Sequence, residues 1–311
     1  MIIVIGSKEE AHSEYIHNLL LSKGEKAAYL DTRKIPNDFI TSWYTTDKNT
    51  KGSIYLDNLK VNFEEIKSVY WRWHYGITIH PDSNSKEELF KASMLEREFV
   101  CYLDSIFKNI DCLWVNSLNA INMHKTKAHQ LHLMAKNGIR VPKTLITNDK
   151  EELKSFVENY KGDLIFKPVR GGAHTEKFDL QYLHDEKINN LKYCPVTFQE
   201  KLEGVDVRVY VVGDKIFAAE IRTTEIDFRN DPNAEIVPVD ITEHVKNDCF
   251  KIMEMFDLNF TGIDIRHNPE TDEYVFIEAN PSPMFIHFEK KTGFPVSETL
   301  AEMLIRGKNE T

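Results

Sequence analysis

The sequence predicts an α/β opening followed by mixed α+β segments, and three observations carry this reading. Residues 2–31 read strand, helix, strand. Residues 164–221 hold short apolar strands, the last two joined by a tight Gly213-Asp214 turn. Residues 261–278 close with another strand pair around Asn268-Pro269.

Taken in order, Ile2 to Ile5 is a first core strand, and a helix runs from about His12 to Lys23, stopped by Gly24. Lys26 to Asp31 is the second strand. Asp57-Asn58 is a two-residue hairpin turn between Ile54–Leu56 and Leu59–Val61, and Ser68 to Trp73 is a strand rich in β-branched and aromatic residues. Helical periodicity covers Lys86 to about Lys108, and Asn116 to Asn122 reads as a polar loop. A helix from about Thr126 to Asn137 stops at Gly138, with Pro142 beyond it. Strands follow at Leu164–Pro168, Thr197–Gln199, Val207–Val212, Ile216–Ile221, Thr261–Arg266 and Glu273–Glu278.

At 311 residues the chain has room for two or three packed units. Its apolar runs fall short of the roughly 20 residues of a membrane span, and the opening Met-Ile-Ile-Val-Ile-Gly lacks the length and basic flank of a signal peptide. Cys101, Cys112, Cys194 and Cys249 show no CxxC spacing, which points away from zinc or a disulfide framework and towards a reduced, cytoplasmic setting. A formal charge of −10 argues against general nucleic-acid binding, since phosphate neutralisation needs a basic surface.

Three constellations carry chemistry. Lys167 ends the apolar strand Leu164-Ile165-Phe166-Lys167-Pro168 and precedes Arg170-Gly171-Gly172; a cation beside glycines that bare their N–H groups suits a phosphate. The ordinary alternative is a lysine snorkelling at a strand end. Asp264 in Gly262-Ile263-Asp264-Ile265, with Glu278 and Asn280 in Phe276-Ile277-Glu278-Ala279-Asn280-Pro281, places three oxygen donors in apolar strands. Alternation sets Glu278 and Asn280 on one face, opposite Ile277 and Ala279, and an antiparallel partner brings Asp264 alongside, a set suited to Mg²⁺. The third runs from Gln199, Glu200 and Leu202 to Asp206 and Arg208. Here a strand passes through a connector into a second strand, offering backbone groups to a purine edge and Asp206 to ribose hydroxyls. Arg208 and Arg222, on successive strands of one hairpin, are expected to share a cleft and grip phosphate or carboxylate, although surface arginines often do neither.

Together Lys127, Lys167, Gln199 to Leu202, Asp206, Asp264, Glu278 and Asn280 resemble, in family order, the ATP-grasp superfamily of ligases. The resemblance implies an N-terminal α/β domain (1–115), a central lobe (116–198) and a C-terminal lobe (199–311), with ATP held between the lobes. It makes Lys127 and Lys167 the phosphate lysines, Gln199 to Leu202 the adenine hinge, Asp206 the ribose acid, and Asp264, Glu278 and Asn280 the Mg²⁺ ligands. Val69-Tyr70-Trp71-Arg72-Trp73, Lys167 to Thr175 and Asn280-Pro281-Ser282-Pro283-Met284-Phe285 are similar, more narrowly, to the graspetide synthetases of the microviridin and plesiocin type.

That narrower resemblance implies phosphorylation of Asp or Glu side chains of a precursor peptide with a leader segment, then closure of ester or amide rings. Partners would be that peptide and a second copy in a homodimer, with no nucleic acid and no membrane. Arg208, Arg222 and Arg72 are the candidates for gripping the carboxylate, Arg72 having the equal alternative of a strand-end cation packed on Trp71 and Trp73. His74 and His174 are candidates to assist deprotonation, although a lone histidine more often has a structural or solvent role. Two rivals stand beside it: a ligase that joins free amino acids or extends a tail with glutamate, and a nucleotide-binding module without chemistry.

Overall fold

The structure, a computed structural model, describes residues 1–47, 49–160, 163–170, 174–223 and 234–308. Strand β1 (Ile2–Ile5), helix α1 (Ala11–Ser22) and strand β2 (Ala27–Leu30) open the chain. A meander of β3 (Thr41–Thr45), β4 (Thr50–Leu56) and β5 (Leu59–Asn62) follows, then β6 (Ser68–Trp71), the long α2 (Lys86–Asn109) and β7 (Leu113–Val115). The Asp57-Asn58 turn forms as expected, both residues having positive φ, which matches the right-handed twist of the flanking strands. Strands β2, β1, β6 and β7 make a parallel sheet in that order. Apart from the buried Ser68 its strands carry apolar and aromatic residues, because both faces are covered.

Helices α3 (Leu118–His124) and α4 (Lys127–Lys136) come next. The polar stretch expected to be a loop at 116–122 is therefore helical: Ser117 caps α3 by accepting from the Ala120 N–H at 3.2 Å. After β8 (Thr144–Thr147) and α5 (Lys150–Asn159), the strands β9 (Leu164–Pro168), β10 (Glu176–Lys177) and β11 (Val196–Glu200) complete an antiparallel sheet of order β10-β9-β11-β8. Its own core holds Leu153, Val157, Leu164, Phe178 and Phe198.

The last sheet is also antiparallel. Strands β12 (Val205–Val212), β13 (Lys215–Arg222) and β14 (Glu235–Pro238) precede α6 (Glu243–Met255), and β15 (Phe260–Asn268) pairs with β16 (Glu273–Asn280). The order is β14-β13-β12-β15-β16, so β16 is an edge. Helices α7 (Ile286–Thr292) and α8 (Val296–Arg306) finish the described chain.

The two faces of this sheet differ. Val207, Val209, Val211, Ile263, Ile265, Phe276 and Ala279 bury one face against α6 and α4. On the other, Tyr210, Val212 and Phe260 pack with α7, α8 and the first parallel sheet. That apolar cover ends before Arg208, and the polar residues beyond it floor the candidate site. Two expected boundaries shift as a result. Residue 198 lies inside β11, whose Gln199 and Glu200 pair with β9, so the central sheet extends to Glu200. Residues Ala120 and Met134, assigned by position to the central lobe, are buried in the core of the C-terminal sheet.

Candidate active site

Register assembles the site as rows across the last sheet. Arg208 of β12 stands opposite Asp264 of β15, which stands opposite Glu278 of β16. The next row holds Tyr210, Gly262 and Asn280, and the row on the other side pairs Asp206 with Arg266. Alternation turns all of these to one face. A bulge between Asp264 and Ile265 leaves Ile277 as an extra residue, since Ile265 pairs with Phe276 and Asp264 with Glu278. Phe276 and Ala279 thus both reach the core, and Ile277 is half-buried rather than a regular inward partner of Ala279.

Charges are matched one to one along the central row. Arg208 Nε lies 2.7 Å from Asp264 Oδ1, and Lys127 Nζ, at the first turn of α4, donates to Glu278 Oε2. Burial would raise the Glu278 carboxyl, but Lys127 beside it wins and holds it below the usual range, helped by His124 and Lys167. Burial pushes Asp264 up, with Glu278 and Asp206 adding to the rise and Arg208 opposing it. Two adjacent carboxylates with a lysine and an arginine on their flanks form a site whose charge balance is set to accept polyvalent cations and anions together.

Glycine at 262 answers a close approach. A side-chain carbon there would meet Pro283 Cβ at 2.8 Å and Arg208 Nη1 at 3.2 Å, so the loop after β16 could not fold over the arginine. Polar side chains from elsewhere pin that strand and loop. Gln130, one helical turn after Lys127, donates to Ala279 O at 3.1 Å and accepts from Ala279 N at 3.3 Å. Asn116, fully buried, donates to Phe260 O and Pro281 O, both at 2.6 Å, and accepts from Asn259 N at 2.7 Å.

The family of proteins to which this arrangement corresponds is decided by residues 123–304, which match the model of the RimK-like ATP-grasp domain. The chain belongs to the RimK-like ATP-grasp family. It is an ATP-grasp ligase by that membership, and relatives in sequence and structure are named as ligases. The α-aminoadipate–LysW ligase LysX of Sulfurisphaera tokodaii is 26% identical over 208 residues, covering 63% of this chain and 73% of that one. The ATP-grasp ligase PsnB, solved with a minimal precursor, superposes with a TM-score of 0.83 at 30% identity and 98% coverage of both chains. The macrocyclase MdnC of Microcystis aeruginosa MRC, bound to its precursor peptide MdnA, superposes at 0.82 with 22% identity and likewise 98% coverage of both, a likeness of fold.

Within this ATP-grasp frame the predicted hinge is altered. Gln199 is in a central strand paired on both sides, and its buried amide donates to Thr144 Oγ1 at 2.8 Å. Glu200 N donates to Lys143 O and Lys201 N to Asp163 O, so those backbone donors are committed as well. Leu202, in the connector to β12, lies beyond the last ladder pair, Glu200 with Leu164. The Glu200 carboxylate instead holds Arg140 at 2.8 Å, and Arg140 also reaches Glu273 at 2.9 Å, tying the two lobes together at the connector. Asp206 is paired with Arg266 at 2.9 Å.

Two expected carboxylate grips are corrected. Ile221 pairs with Asp206 and Ala219 with Arg208, so Arg222 has the opposite parity to Arg208 and leaves the other face of the sheet. It is 54% exposed and bonded to Glu220 of its own strand at 3.0 Å. Arg72 is 3% exposed and its guanidinium is spent on Glu10 and Ser282, so it holds structure rather than substrate. His74, a candidate proton carrier for which a structural role is the more ordinary reading, stacks on Trp71 and accepts from the Gly76 N–H at 3.0 Å. His174 is exposed, and Gly171 and Gly172 lie outside the described residues.

The donor set suits Mg²⁺. Among the described residues no group of three or more His, Cys, Asp or Glu side chains could hold a metal. Two carboxylates and an amide oxygen are the hard, incomplete set that Mg²⁺ takes when phosphates and water supply its remaining ligands. Asn116 and Gln130 carried no local signal in the sequence, because their partners lie far away along the chain, and the same holds for the bonds of Glu10 to Arg72 and of Arg140 to Glu200 and Glu273. Among the described residues no helix is long and apolar enough to cross a membrane.

Proposed function

We propose that this chain phosphorylates Asp or Glu side chains of a ribosomally made precursor peptide and joins them to Thr or Ser hydroxyls, or Lys amines, of the same peptide. The observation that carries this reading is the full-length likeness, at 30% identity, to a ligase solved with its precursor. That likeness includes the N-terminal sheet, whereas the relative that ligates α-aminoadipate matches 63% of the chain. Residues 1–115 would then contribute to peptide binding, with the central sheet, as far as Glu200, and the C-terminal sheet enclosing the nucleotide.

In this reading Asp264, Glu278 and Asn280 hold Mg²⁺, a metal that accompanies ADP in a solved complex of the same relative. The metal supplies charge compensation on the phosphates of ATP. Lys127 and Lys167 neutralise the triphosphate from α4 and β9, and Arg208, fixed by Asp264, sets a cation on the floor where carboxylate and phosphate meet. Leu202 flanks the adenine and Asp206, oriented by Arg266, faces the ribose. A substrate carboxylate oxygen bonds to the γ-phosphorus as the bond to ADP breaks. The hydroxyl or amine then bonds to the acyl carbon and gives up a proton, which leaves for solvent, as phosphate departs with the C–O bond pair. Both steps bring like charges or poor nucleophiles together, so positioning and preset charge are what the protein adds.

Purified protein with Mg-ATP and a co-encoded candidate peptide is expected to yield ADP and a peptide lighter by one water per bond in mass spectrometry. A peptide that gains the mass of an amino acid would instead establish the tail-extending or amino-acid-joining chemistry. ATP turnover with an unchanged peptide mass contradicts ring closure.

A further inference from the structure

The N-terminal domain reaches into the metal site through one continuous chain of hydrogen bonds. Glu10 caps α1, accepting from Ser13 N at 2.7 Å and Ser13 Oγ at 2.9 Å. Its two oxygens also accept from Arg72, with Nε at 3.2 Å from each and Nη2 at 3.0 Å from Oε1. Arg72 Nη1 crosses the domain boundary to Ser282 O at 2.7 Å and Ser282 Oγ at 3.0 Å, and Ser282 Oγ donates back to Arg72 O at 2.6 Å. Ser282 N finally donates to Asn280 Oδ1 at 2.9 Å.

The last bond decides which end of the Asn280 amide faces which way. Only the oxygen of an amide accepts, so an N–H from Ser282 excludes the flipped orientation and leaves the second lone pair of Oδ1 for a cation. A flipped amide would present an NH₂ group to the metal. The loop that carries Ser282 has little regular structure of its own to hold it, and the partners that fix it come from other elements. Besides Arg72, His12 Nε2 accepts from Phe285 N at 3.1 Å and Ile286 N at 3.3 Å, and His12 Nδ1 stands 3.3 Å from the same Glu10. A buried arginine is costly unless it is paired and hydrogen-bonded, and Arg72 meets this with Glu10 on one side and Ser282 on the other.

We propose that Glu10, Arg72 and Ser282 are positioning residues that orient the Asn280 amide oxygen towards Mg²⁺, so that the N-terminal domain sets the metal affinity of the nucleotide site. Partners of this kind behind a metal ligand commonly change metal affinity about 10–100-fold. The inference rests on the reading of Asp264, Glu278 and Asn280 as the Mg²⁺ set, and the test separates the two.

ADP binding to the full chain is measured calorimetrically in excess Mg²⁺ and in EDTA, and the ratio of the two affinities is the metal-dependent gain. Glu278→Ala is expected to abolish that gain. Ser282→Ala, Arg72→Lys and Glu10→Gln are expected to lower it about tenfold or more, with ADP affinity in EDTA unchanged. That unchanged affinity also shows that the cleft is folded, and Ser282→Ala, which keeps the backbone N–H and volume, gives the reading if an Arg72 variant fails to fold. A full gain in Ser282→Ala and Glu10→Gln, with Glu278→Ala having lost it, would mean that the chain of bonds is only domain glue and overturns the proposal. A full gain in Glu278→Ala overturns the metal assignment and the proposal with it.

Discussion

Arg208 and Arg222 are 14 positions apart on one hairpin, and their fates diverge because strand pairing, rather than spacing, assigns a residue to a face. Arg208 is fixed by Asp264 on the floor of the site, while Arg222 leaves the opposite face for solvent and a local pairing with Glu220. Exposed pairs of this kind contribute little. Arg222→Ala is therefore expected to change stability by no more than about 0.5 kcal/mol, read as a nearly unmoved melting curve, with ATP turnover within twofold of the parent. A large loss of turnover at normal stability would return Arg222 to the site. Asp264, Glu278 and Asn280 stood out because polar side chains in apolar strands contrast with their neighbours, and the register does bring them to adjacent rows. Glu10 and Arg72 were not legible in this way: the partner of Arg72 that matters, Ser282, is 210 residues away.

At the scale of elements, the edge strand β16 shows how the site is held. An edge strand offers unpaired N–H and C=O groups, and here other elements answer them. Gln130 of α4 covers both backbone groups of Ala279, the residue between Glu278 and Asn280, and Arg140 O accepts from Phe276 N at 2.8 Å. Lys127 and Gln130 project from one helix, so the same element supplies a cation for Glu278 and the clamp beside it. Gln130→Leu keeps the side-chain volume but strands two buried backbone groups, at a cost of about 1–3 kcal/mol. Thermal melting checks this, and a variant as stable as the parent would show that Gln130 is dispensable. Helix α4 was legible from its apolar period and its Gly138 stop. Helix α3 was not, because Asn119 and Asn122 are weak helix formers and a seven-residue helix depends on the Ser117 cap and on burial of Leu118 and Ala120.

The whole molecule divides less cleanly than its sequence order. Ile2 and Val4 of the first sheet share a core with Phe260 of the last sheet and with Leu300 and Leu304 of α8, and Ser68 Oγ donates to Leu304 O at 2.7 Å. The first and last parts of the chain thus form one packed body, and the central sheet keeps a core of its own, joined to it through the Glu200, Arg140 and Glu273 bridge. Order along the chain pointed to the family and to the strands that carry the proposed metal ligands, while the packing of the two ends together has no signature in spacing or composition. The central claim is that a carboxylate is activated as an acyl phosphate in the cleft between these bodies. It is tested most directly by labelling the Asp and Glu side-chain oxygens of the substrate peptide with ¹⁸O and analysing the inorganic phosphate. One ¹⁸O in phosphate for every bond closed is the expected result, and unlabelled phosphate accompanying bond formation would contradict the account.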